Sequence, residues 1–169
     1  MNAPPEHTDP ITILTEDHHK GLKRLEDLER AAGYIKENGF SFDAFTQIAE
    51  AIEYINLEIR RHNEIEEKYL FPLLDRHVNG PSHIMHNEHR ELWKLFSRLL
   101  ESVEDVQEGR IYATTIWELV ESSRSIVAML SEHIRKENEV LFPMARKLLT
   151  KEEYEQVRHD IVGVMRTAS

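Results

Sequence analysis

The chain has 169 residues, 40% of them apolar and 31% charged, the size and balance of one soluble domain with a core of its own. It contains no cysteine, which excludes disulfides, iron–sulfur clusters, thiolate zinc sites and cysteine nucleophiles and is compatible with a cytoplasmic setting. A formal net charge of −10 argues against nucleic acid as a partner, and no apolar run approaches the length of a membrane span.

The opening string MNAPPEHTDP has no basic region and no apolar stretch, so residues 1–9 read as a disordered tail rather than a signal peptide. Asp9-Pro10 then predicts a helix start, with Asp as the cap and Pro at the first helical position. Ile11, Leu14, Leu22, Leu25 and Leu28 follow at helical spacing, and Gly33 and Asn38-Gly39 predict the end of that helix. A second pattern, from Phe42 to Arg76, places Phe45, Ile48, Ile52, Ile55 and Ile59 on one face. Val78-Asn79-Gly80-Pro81 breaks it. A third helix is predicted from Ser82 to Val106 and a fourth from Ile111 to Leu149, with Gly109 in the turn between them. Thr150 and Glu153 form a capping box that opens a short fifth helix to Met165. Pro72 and Pro143 are expected to kink or break the second and fourth helices. The predicted fold is all-α: an up-down-up-down four-helix bundle over residues 10–166, completed by the C-terminal fifth helix.

The sequence also matches itself, without a gap, at an offset of 71 residues. Pro10 meets Pro81, His18 meets His89, His62 meets His133, Glu66 meets Glu137, and Leu70-Phe71-Pro72 meets Leu141-Phe142-Pro143. Two similar helix hairpins, about 10–76 and 81–147, are therefore expected to pack about a pseudo-two-fold axis, with matching residues meeting near it. His62 and Glu66 are four residues apart on one helical face, and so are His133 and Glu137. Buried carboxylates without partners are costly, so two of them in a bundle core call for a cation. Imidazole and carboxylate donors suit iron or manganese, and zinc would accept much of the same set.

These strings carry a resemblance. EDHH (16–19), RHNEIEEKYLFP (61–72), NEHREL (87–92) and EHIRKENEVLFP (132–143) resemble the hemerythrin-like family, the HHE cation-binding domain, over about residues 10–148. The resemblance implies two non-haem iron ions with an oxo or hydroxo bridge. His18, His62, His89 and His133 would be terminal ligands, and Glu66 and Glu137 would bridge the irons. Oxygen-carrying hemerythrins end their last motif with an aspartate and carry a fifth histidine, so this chain is similar to the bacterial branch. Five ligands per iron would leave one position open. His86, Glu58 and Tyr54 are the further side chains that could fill it. Of the adjacent pair His18-His19, the repeat selects His18. Glu67 and Asn138, which follow the two glutamates, read as solvated-face residues, with support of the ligands as the alternative.

The expected activity is binding of, or reaction with, a small diatomic or peroxide ligand at an open iron: oxygen, peroxide or nitric oxide, for sensing, binding or peroxide breakdown. Iron storage, delivery or iron sensing without turnover is the alternative. The fifth helix lies outside the repeat and is expected to cover the bundle end or to meet a partner, including a second copy in a homodimer.

Overall fold

The structure is a computed structural model that describes residues 9–167, apart from the side chain of Arg166. All of the expected tail except Asp9 lies outside the described residues. Among those residues the chain forms an all-α bundle.

Helix α1 runs over Pro10–Asn38 and is capped by Asp9, whose side chain accepts from the Thr12 amide at 2.8 Å. Gly33 does not end it. Ala31, Ala32 and Ile35 around it are buried, and that packing outweighs the roughly 1 kcal/mol that a helical glycine costs. The helix closes at Gly39, where φ is 86° and the amide donates to the Ile35 carbonyl.

Helix α2 spans 42–74 and begins at Ser41, whose hydroxyl accepts from the Ala44 amide. Helix α3 is Pro81–Gln107. Helix α4 spans 113–148, and α5 is Lys151–Thr167. The capping box at the start of α5 is reciprocal: the Thr150 amide donates to Glu153 Oε2 at 3.0 Å, and the Glu153 amide donates to Thr150 Oγ1 at 3.2 Å.

The two internal prolines do not break their helices. In α2 the turn before Pro72, Glu66–Leu70, widens into a π-helical turn, and in α4 the turn Glu137–Leu141 does the same before Pro143. Proline lacks an amide hydrogen and crowds the carbonyl four residues back, and a wider turn accommodates both defects. Each widened turn starts at a glutamate of the repeat. A third π turn, Ile55–Ile59 in α2, has no counterpart in α4, where residues 126–130 are α-helical.

Helix α1 packs against α2 and α4, and α3 packs against α4. The core falls into two apolar layers. One contains Leu25, Leu28, Ile48, Ile55, Leu92, Phe96, Leu119 and Ile126, with Leu22 and Trp93 partly buried against it. The other contains Leu14, Leu70, Phe71, Leu74, Phe142, Val157 and Ile161. The last two belong to α5, which lies against α1 and the π turn of Glu66–Leu70 and so covers the end of the bundle. No helix of the described residues is long and apolar enough to cross a membrane.

Candidate metal centre

Each of the first four helices passes from one apolar layer to the other, and a polar layer lies where they cross. Helix α1 brings His18 to it, α2 brings His62 and Glu66, α3 brings His89, and α4 brings His133 and Glu137. All six residues are at most 3% exposed. Phe142 stacks on His18 with ring centres 5.2 Å apart, and Phe71 stacks on His89 at 5.8 Å. The leucine-phenylalanine-proline strings thus wall the polar layer on one side.

The four histidines form two pairs. His18 and His62 have ring centres 4.6 Å apart, and His89 and His133 are 4.7 Å apart. Each carboxylate divides its oxygens between the pairs. Glu66 Oε1 lies 3.1 Å from His62 Nε2, and its Oε2 lies 3.5 Å from His89 Nε2. Glu137 Oε2 lies 2.9 Å from His18 Nε2, and its Oε1 lies 2.9 Å from His133 Nε2. Two donor groups result, His18–His62–Glu66–Glu137 and Glu66–His89–His133–Glu137, and in each the donor atoms lie within 4.8 Å of one another.

The short distances between these rings and carboxylates lack hydrogen-bond geometry. His18 Nε2, His62 Nε2 and all four oxygens of Glu66 and Glu137 are buried without a hydrogen-bond partner. The reason lies on the far side of each ring, where every Nδ1 faces an oxygen. His18 Nδ1 is 2.7 Å from Asn138 Oδ1, and His62 Nδ1 is 3.2 Å from Asp17 Oδ2. His89 Nδ1 is 2.6 Å from Glu67 Oε1, and His133 Nδ1 is 2.8 Å from Glu88 Oε2. An acceptor there holds the hydrogen on Nδ1 and leaves the Nε2 lone pair pointing inward. His89 and His133 even bring Nε2 to Nε2 at 3.0 Å. Lone pairs gathered at that range repel unless positive charge stands among them.

The ring basicities carry the same message. Burial alone would lower His62, but the Glu66 carboxylate, with Asp17 behind the ring, outweighs it and lifts the imidazole to about 10. Burial is likewise outweighed at His133, which Glu137 lifts to about 9. Burial would raise Glu137, yet His133, His18 and His89 hold it well below the usual carboxylate range. The layer demands cations, and its donor set, borderline nitrogen with hard oxygen and no sulfur, fits a first-row metal ion.

The structure thus brings together His18, His62, Glu66, His89, His133 and Glu137. It leaves His19, about 100° further round α1, exposed. Glu58 and His86 join neither donor group. Glu58 pairs with Arg61 at 2.9 Å, and His86, 39% exposed, lies 3.4 Å from Glu67 Oε1. Tyr54 sits beneath the Arg24 guanidinium, and burial and the carboxylates of Asp17 and Glu58 raise its phenol. Glu67 and Asn138 are not solvated-face residues, because each holds a histidine ring. Asp17 and Glu88 were not expected at all. The repeat contains the missing signal, since positions 17 and 88 correspond at the same offset, as do 67 and 138.

Comparison with known proteins agrees with this geometry. Residues 9–159 match the family described as the hemerythrin HHE cation binding domain. An iron-sulfur cluster repair protein YtfE from Edwardsiella ictaluri is 29% identical over 139 residues, covering 79% of this chain and 62% of the relative. The YtfE of Salmonella paratyphi B is 32% identical over 92 residues, covering 52% of this chain and 42% of the relative. The chain spans about half the length of these curated relatives. A bundle that gathers its histidines and glutamates in this way, and that matches that description over nearly its whole length, belongs to the hemerythrin HHE cation binding domain family and is a metal-binding protein.

Proposed function

We propose that the chain holds a non-haem di-iron centre that binds or reacts with oxygen, peroxide or nitric oxide. His18 and His62 would hold one iron and His89 and His133 the other, with Glu66 and Glu137 shared between them. The observation that carries this reading is the division of each carboxylate's two oxygens between the two histidine pairs. Iron bound there would supply electron transfer and Lewis-acid binding of a small ligand.

The chain's own residues fix the rest. Asp17, Asn138, Glu67 and Glu88 orient the four rings. Phe71 and Phe142 exclude water on one side. The burial of all six donors supports a ligand of two or three atoms and disfavours a bulky organic substrate. Azide, peroxide or nitric oxide added to the oxidised, iron-loaded protein is expected to produce a new charge-transfer band. An unchanged spectrum with iron in place would contradict small-ligand chemistry.

The name shared by the relatives, iron-sulfur cluster repair protein, favours a second reading, in which the chain delivers or stores iron without turnover. Transfer of iron to an apo-cluster acceptor, with no spectral response to azide or peroxide, would select it.

A further inference from the structure

The two hairpins are repeats, yet the acceptors behind their first histidines differ in charge. Behind His89 stands the carboxylate of Glu67, with Oε1 2.6 Å from Nδ1. Behind His18, at the position that corresponds in the repeat, stands the amide of Asn138, with Oδ1 2.7 Å from Nδ1. The distances match and the charges do not. The second histidine of each pair has a carboxylate in both halves, Asp17 on His62 at 3.2 Å and Glu88 on His133 at 2.8 Å. Glu66 and Glu137 each give one oxygen to each pair and so discriminate little between them.

A carboxylate behind an imidazole makes a stronger hydrogen bond than an amide does and leaves the opposite nitrogen a better donor to a cation. Resting on the reading that the six residues hold two cations, we propose that the two positions are unequal. The His89–His133 position holds its cation more tightly than the His18–His62 position, and Glu67 and Asn138 are the positioning residues that set the difference. Two other charged groups bear on the comparison. Lys136 Nζ contacts Glu88 and offsets part of that carboxylate's effect on His133, so the order does not come from Glu88. His86 lies near Glu67, but it is partly exposed and its influence is screened by solvent. The looser cation is therefore the one on α1 and α2, the exchangeable member of the pair.

The test withdraws metal from the loaded protein. Protein carrying two equivalents of manganese(II) is titrated with a chelator, and bound manganese is counted at each step. The expected result is two steps separated by about tenfold or more. Glu67→Gln, which keeps the acceptor and removes the charge, is expected to move the tight step toward the loose one. Asn138→Asp, which keeps the shape and adds the charge, is expected to move the loose step toward the tight one. The double variant is expected to restore two separated steps, an outcome that general loosening of the bundle would not produce. Release of two equivalents in one step, or two steps that neither variant moves, overturns this inference and leaves the two-cation reading standing. A protein that never takes up two equivalents overturns both.

Discussion

Asp17 Oδ2 lies 3.2 Å from His62 Nδ1, across two helices and 45 residues of sequence. Glu88 and His133 repeat that relationship at 2.8 Å in the second hairpin. The acid that precedes the first histidine of each hairpin thus orients the second histidine of the same hairpin. Glu67 and Asn138 then reach across the pseudo-two-fold axis to the first histidine of the other hairpin. Asp17→Ala is therefore expected to weaken metal binding by about 10- to 100-fold while the bundle stays helical. Chelator competition followed by metal analysis measures the change, and wild-type retention would show that the Asp17 contact is idle.

Register makes a sharper comparison between neighbours. His18 is buried in the polar layer and His19 is exposed on the same helix. His18→Ala is expected to lose metal, and His19→Ala to keep the full complement. Metal content of the two purified variants decides, and the reverse result would remove the pseudo-two-fold axis from the account.

The four bundle helices and the clustering of the six side chains were legible in the sequence because each is stated twice, once per hairpin. His62 with Glu66 alone is an ordinary surface pair, but its exact recurrence at His133 and Glu137 is not. The ring-holding residues were harder to see. Positions 17 and 88 carry Asp and Glu, and positions 67 and 138 carry Glu and Asn, so the repeat is blurred by substitution. A charged residue on a helix is usually solvated, and only the packing of α1 on α2 places Asp17 against His62. The prolines misled in another way. Their effect depends on whether the preceding turn can widen, and a π turn leaves no mark in the spacing of apolar residues. Gly33 misled because a glycine ends a helix only where packing beyond it stops.

Asp9 anchors three helices at once. It caps α1 through the Thr12 amide, accepts from Arg146 of α4 at 2.7 Å, and accepts from the Tyr154 hydroxyl of α5 at 2.5 Å. Burial would raise its carboxyl, but hydrogen bonds from Tyr154, Thr12 and Arg146 hold it below the ordinary aspartate value of 3.8. The folded form is thus the stronger acid. Asp9's contribution to stability is fully present above pH 3.8 and is lost as pH falls through the lower folded value. Asp9→Ala is expected to cost about 1 kcal/mol at neutral pH, as loss of a helix cap does, and to remove that part of the acid sensitivity. Denaturant unfolding of both proteins at pH 7 and pH 3 provides the measurement. A variant that matches wild type at both pH values would show that the Asp9 contacts add nothing to stability.

The central claim is that two irons stand between the histidine pairs, sharing Glu66 and Glu137. Its most direct test is the iron content per chain of protein produced without added metal and purified without chelator. About two irons per chain are expected, falling in both Glu66→Ala and Glu137→Ala because each carboxylate faces both pairs. A folded, helical protein that carries no iron, and takes up none when iron(II) is supplied anaerobically, would contradict it.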